Sequence, residues 1–181
     1  MPWGTIGGTE IATARLAESM RPLGITSIMF CRIDSPRVAA FFSQRGFDTA
    51  EYDQQSFKGG FSRFARATLR RGREFRRHAA DVVACADLEA LATVAAAARL
   101  HRLPLISHIR NPYEWLTPLQ RFWLVGTNEL VFCSNDAFRS FGNIAKFGPQ
   151  IARRIANVVY DVVELDVPAA DAEMIGRATA E

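Results

Sequence analysis

Apolar and polar positions along the chain follow two alternating periods. Short runs that are apolar at nearly every position, at residues 26–31, 81–86, 105–110 and 129–134, predict strands buried on at least one face. A weaker run at 47–52 predicts an edge strand, and 157–163 a last one. Between them the spacing changes to three and four. Ile11, Ala14, Leu16, Ala17 and Met20 predict a helix over 9–21, ended by Pro22-Leu23-Gly24. Ser35-Pro36 opens a second helix running to Gly46, with Pro36 at a position where its missing N–H does no harm. Further helices are predicted at 61–78, at 87–101 with Asp87 as cap, at 119–125, from Asn135 or Asp136 onward with Phe138 and Phe141, and at 151–156. The pattern fades beyond 166. Residues 1–166 therefore form one domain, and 167–181 a tail or the start of a linker.

Strands that alternate with helices and are apolar on both faces predict an α/β fold: a Rossmann-like parallel sheet with helices on both faces. In such sheets ligands bind beyond the carboxyl ends of the strands. That rule selects Ala86-Asp87, Arg110-Asn111 and Ser134-Asn135 as the loops of interest. Gly7-Gly8-Thr9-Glu10 joins them at the start of the first helix. Two glycines allow positive φ and close approach, Thr9 can cap the helix, and a loop opening a helix offers free N–H groups to a phosphate. The plainer reading is a tight turn before a core helix. Asp87 is a helix cap or a substrate contact. Arg110 with Asn111 could grip a phosphate or carboxylate in two-point geometry, or Arg110 could pair with Glu114. Ser134 is a helix-start residue or a ligand contact, and His108 is expected to be a buried, hydrogen-bonded histidine.

Composition narrows this little. A chain of 181 residues, 49% hydrophobic and 23% charged, suits one globular domain. No apolar run nears the roughly 20 residues a bilayer span needs. The opening residues lack the basic start and unbroken apolar core of a secretory leader. Cys31, Cys85 and Cys133 are isolated within apolar runs and read as reduced core residues of a cytoplasmic protein. Neither they nor His78, His101 and His108 have metal-ligand spacing, so no metal and no cofactor are expected.

Charge changes the picture in one place. Residues 58–78 hold eight Lys/Arg against Glu74, a local +7, leaving +3 − 7 = −4 for the remainder. Phe61, Phe64, Thr68 or Leu69, and Phe75 fall roughly on one helical face, with arginines around them. Such a helix could lie on an anionic membrane through Arg66, Arg70, Arg71 and Arg73, or be a solvated face over an ordinary core stripe. Nucleic acid is not expected, since no recognised reading module is present.

The order Gly7-Gly8-Thr9-Glu10, Asp81-Val82-Val83-Ala84-Cys85-Ala86-Asp87, Pro104-Leu105-Ile106 into His108-Ile109-Arg110-Asn111-Pro112, Leu130-Val131-Phe132-Cys133-Ser134, then Val158-Val159-Tyr160 resembles the N-terminal domain of family 4 glycosyltransferases. These are retaining enzymes of GT-B architecture, built from two Rossmann-like domains. The resemblance implies a hexosyltransferase-like transfer of sugar from a nucleotide-sugar donor to a sugar or lipid-linked acceptor. It implies that this domain binds acceptor, with Gly7, Gly8 and Thr9 near the donor diphosphate, and that a C-terminal domain grips the nucleotide. No second Rossmann-like pattern follows here, so the chain is expected to be incomplete as an enzyme on its own, part of a larger enzyme or a truncated product. The protein would act in the cytoplasm, at the inner face of the membrane where its acceptor is a lipid. The rival class is a non-catalytic Rossmann-type module for a nucleotide or anion. Three departures from the family stand out. Only residues 1–6 precede the glycine loop, where the family has a strand, so the start lies upstream or the sheet has a weak or missing middle strand. Ala84 and Ala86 stand where the family usually carries a histidine. Asp161-Val162-Val163-Glu164 lacks the glycine of the family's interdomain turn.

Overall fold

A computed structural model of the chain describes residues 6–53, 60–111, 113–124, 126–145 and 156–159. The chain alternates as the apolar pattern predicts. Helix α1 (Gly8–Met20) ends in a 3-10 turn (Arg21–Leu23), and β1 (Ile28–Arg32), α2 (Pro36–Gln44), β2 (Asp48–Tyr52) and α3 (Phe61–Arg77) follow. Then come β3 (Val83–Cys85), α4 (Leu88–Leu100), β4 (Leu105–Ile109), α5 (Pro118–Leu124), β5 (Glu129–Phe132), α6 (Asn135–Ala145) and β6 (Ala156–Val158). Gly24 takes φ +78 after the 3-10 turn, a left-handed conformation that suits a residue without Cβ and stops the helix where Pro22 and Gly24 predict.

Every strand pairing among the described residues is parallel. β1 pairs with β2, Ile28 opposite Asp48 and Arg32 opposite Tyr52. The other four run in the order β3-β4-β5-β6. Among the described residues no strand joins β1 to β3, so the sheet stands as a pair and a quartet. The strand expected before Gly7, most of the helix expected at 151–156, the turn at 161–164 and the tail from 167 lie outside the described residues. Ala156, placed in that helix by the pattern, opens β6 instead.

Helices cover both faces of the β1-β2 pair. Met29 and Cys31 pack with Val38 and Phe42 of α2 and with Ala14 and Ala17 of α1. The opposite face presents Phe30 edge-on to Phe75 of α3, ring centroids 5.9 Å apart. The larger core lies under the quartet, where Leu88 and Leu91 of α4 pack with Leu105, Ile109, Leu130 and Phe132. Each fully buried side chain of that size contributes about 1.5–3 kcal/mol.

The structure revises the basic helix. Ala67, Thr68, Arg71, Gly72 and Phe75 form its buried side. Arg71 is only 4% exposed and cannot face a membrane. Its guanidinium carbon sits 4.9 Å from the centre of the Phe30 ring and 4.5 Å from that of Tyr52. One helical step of about 100° separates it from Arg70, and that step takes it into the core. Phe61, assigned to the apolar face, is 86% exposed at the helix start.

Candidate active-site rim

The glycine loop meets the first expectation only in part. Helix α1 begins at Gly8, with Gly7 as its cap, so Thr9 lies within the first turn instead of capping it. Gly7 has φ −134 and Gly8 is not among the positive-φ residues, so neither needs glycine's freedom of φ. The glycines do leave open space, since a Cβ on Gly8 would meet nothing within 4 Å. By helix geometry the N–H groups of Gly8 and Thr9 lack intrahelical acceptors and face outward as donors. The Gly7 N–H is taken: it donates to Glu10 Oε2 at 2.9 Å. Glu10 is 2% exposed and curls back over its own helix start, placing a carboxylate at the positive end of the dipole. Its Oε1 is buried with no hydrogen-bond partner among the described residues. The loop therefore carries its own negative charge beside the donors it offers.

Asp87 is fully buried and caps α4: its Oδ1 accepts the Leu88 N–H. Its Oδ2 accepts from Asn111 Nδ2. The carboxylate thus spans the ends of β3 and β4 and orients Asn111, while having no surface to offer a ligand. Arg110 Nη1 donates to Thr13 Oγ1 at 3.0 Å. Thr13 Oγ1 itself donates to the Thr9 carbonyl at 2.7 Å. These bonds tie the end of β4 to the first turns of α1 and bring the glycine loop and the Arg110-Asn111 loop to one rim. Ser134 is the helix-start residue expected as one of its two readings: it caps α6, its Oγ accepting the Ala137 N–H at 3.0 Å, in place of Asn135 or Asp136.

Arg110, Asn111 and Ser134 line a cavity of about 310 Å³ beyond the ends of β4 and β5. Tyr113, Asp136 and Phe141 also line it, and none of them is among the loop residues that the strand-end rule selects. The Tyr113 ring meets Phe141 edge-on, and its buried hydroxyl has no hydrogen-bond partner among the described residues. Cys133, read as core, is half-buried at this wall. The signal for Tyr113 was its place two residues past Asn111. For Asp136 and Phe141 it was their spacing of five from each other on α6, which becomes informative only once the helix is docked. Gly7, Gly8, Thr9 and Asp87 do not line this cavity. Its chemistry is mixed: a guanidinium, a carboxylate, amide and hydroxyl groups, and two aromatic faces. Among the described residues no group of three or more His, Cys, Asp or Glu could hold a metal ion.

Comparisons with known proteins bear on the family and the fold. The family model described as Glycosyltransferase Family 4 matches residues 6–159. No curated protein matches the sequence. Among solved structures the chain is similar to HepE (Alr3699) of Anabaena in complex with UDP, at 15% identity and TM-score 0.67, covering 98% of this chain and 48% of that one. It is also similar to a glycosyltransferase from Rickettsia africae, at 13% identity and TM-score 0.69, covering 97% and 47%. MurG of Acinetobacter baumannii matches at 15% identity and TM-score 0.62, covering 89% and 44%. At these identities the likeness speaks for the fold, which is that of one half of the GT-B glycosyltransferases. The chain spans about half the length of these structures. With the family model matching most of its length, the chain belongs to glycosyltransferase family 4.

Proposed function

We propose that this chain is the acceptor-side half of an enzyme that moves a hexosyl group from a nucleotide-sugar donor to an acceptor hydroxyl, and that a second, C-terminal domain supplies most of the donor site. The observation that carries the proposal is the cavity at the strand ends, where Arg110, Asn111 and Tyr113 come together beside α1. A sugar ring asks for this mixture: amide and carboxylate partners for its hydroxyls, and an aromatic face for its C–H groups. The solved HepE structure holds UDP, which supports a nucleotide sugar as donor for this fold.

The transfer breaks the bond between the anomeric carbon and the diphosphate oxygen. It forms the bond to the acceptor oxygen and releases a nucleoside diphosphate and a proton. The chain's own part is to hold the acceptor hydroxyl close to the anomeric carbon, worth a large share of the barrier when the geometry is right. Arg110, fixed by Thr13, and the outward N–H groups of Gly8 and Thr9 would offset charge developing on the leaving diphosphate. The buried Glu10 carboxylate opposes a full phosphate at the loop. A weak hold on donor by this half is therefore expected.

Titration calorimetry with a panel of nucleotide sugars, alongside saturation-transfer NMR with acceptor-like saccharides, tests the proposal. Saccharide signals that vanish in Asn111→Ala, with no measurable donor binding, are expected. Tight donor binding by the chain on its own would contradict the half-enzyme reading and favour a nucleotide-binding module. Absence of any saccharide contact at the cavity would contradict the acceptor role.

A further inference from the structure

We infer that the outer face of α3 docks the protein onto an anionic lipid surface. This deepens the sugar-transfer reading by naming where a lipid-linked acceptor would be presented, and rests on that reading for this link alone. Once Arg71 is assigned to the core, the remaining arginines form a regular row. Arg66, Arg70, Arg73 and Arg77 recur at steps of four, three and four, opposite the buried side of the helix. Arg63 extends the row by one step, so that it runs about 21 Å along the helix.

Arg66, Arg70, Arg73 and Arg77 are exposed and make no ion pair among the described residues. Leu69 (52% exposed) flanks the row. Charge on one straight face, with an apolar side chain at its edge, complements a plane of anionic headgroups: arginines for the phosphates, Leu69 for the shallow acyl boundary. A nucleic acid fits less well. The helix carries no Asn or Gln to read base edges, and the rest of the protein is net negative.

The row is also placed usefully. Helices of a parallel α/β sheet begin where strands end, so the start of α3 lies toward the rim that carries Arg110 and Asn111. Docking by this face would bring that rim near the membrane surface while α3 keeps its other side in the core.

Sedimentation of the full chain with phosphatidylcholine vesicles, with and without phosphatidylglycerol, tests this. Binding is read with no sugar or nucleotide present, so its failure leaves the sugar-transfer proposal standing. Pelleting is expected only with phosphatidylglycerol and should be lost at about 0.5 M salt, where the screening length is only a few ångströms. Arg66→Ala/Arg70→Ala/Arg73→Ala should lower the partition coefficient on the order of a hundredfold. The same three positions changed to Lys should retain most of it. Arg37→Ala on α2 should bind like the parent, and circular dichroism checks that each variant is folded. No lipid-dependent pelleting, equal pelleting of the triple alanine variant, or preference for duplex DNA over vesicles at the same ionic strength would each overturn the inference.

Discussion

Arg110, at the end of β4, donates from Nη1 to Thr13 Oγ1 on α1 at 3.0 Å, across 97 positions of sequence. This bond connects the helix behind the glycine loop to the strand end that carries Asn111. It holds the guanidinium in one direction, toward the cavity wall. A hydrogen bond to a charged group contributes about 1.5–3 kcal/mol when buried and less when half-exposed, as here. Thr13→Val, Arg110→Ala and the double variant, compared by urea unfolding, should give a coupling of about 1 kcal/mol. Strict additivity would mean that the two elements are not tied through this pair. Thr13→Val should also weaken saccharide binding although Thr13 does not line the cavity.

Asp87 serves two loops at once, as cap of α4 and as acceptor for Asn111. Its loss removes a helix cap, worth about 0.5–2 kcal/mol, together with a charge-assisted bond. Asp87→Ala should therefore lower stability by about 3 kcal/mol, read as a lower urea midpoint at an unchanged slope. Asp87→Asn keeps the cap and should lose about half as much. A near-neutral Asp87→Ala would show that Asn111 is oriented by something else.

Arg71 is a cation in the core with its Nε and Nη1 unpartnered among the described residues. Burial pushes its pKa down to about 10, with Tyr52 and Glu74 opposing the shift. A base held below its ordinary value destabilises the folded state at neutral pH, by about 3 kcal/mol. Above about pH 10 the unfolded chain keeps a proton that the folded chain gives up, so this penalty fades as pH rises. Arg71→Met should thus equal the parent or exceed it by up to about 2 kcal/mol at pH 7, despite losing two cation–π contacts. Its advantage should shrink above pH 10. Arg71→Ala, which leaves a void between Phe30 and Tyr52, should be less stable than either. Arg71→Met falling more than about 1 kcal/mol below the parent would show that the ring contacts outweigh desolvation.

Alkaline pH should unfold the protein through groups of opposite sign. Burial pushes the Cys85 thiol up from 9.0 to about 12 and the Tyr52 phenol from 10.0 to about 12. Both folded values lie above the unfolded ones. Their contribution is whole below pH 9 and is lost as pH climbs toward 12, because the native state keeps protons that the unfolded chain releases. For Cys85 the loss amounts to about 2 kcal/mol by pH 10.5. Urea unfolding of Cys85→Ala at pH 8 and 10.5 should show a shallower decline than the parent, from a slightly lower start. Parallel declines would show that Cys85 does not titrate in this range.

Much of this protein is written in its local pattern. Apolar runs and three-four spacing determine the alternation of strands and helices, because burying one face of an element requires that periodicity whatever it packs against. Pro22 with Gly24, and Asp87 before Leu88, mark element ends through backbone chemistry that needs no partner. The rule that parallel sheets bind ligands past their strand ends then selects Arg110 and Asn111, which do share a cavity. Tertiary structure decided the rest. Whether Arg70 or Arg71 enters the core depends on the rotational setting of α3 against Phe30 and Tyr52, which the sequence spacing leaves open. That Glu10 turns back onto Gly7, that Asp87 is withdrawn behind Asn111, and that Tyr113 and Phe141 wall the cavity follow from side-chain directions fixed only when separate elements dock. Contacts between residues distant in the chain, such as Thr13 and Arg110, have no local signature, since the loops between them set no distance until the layers close.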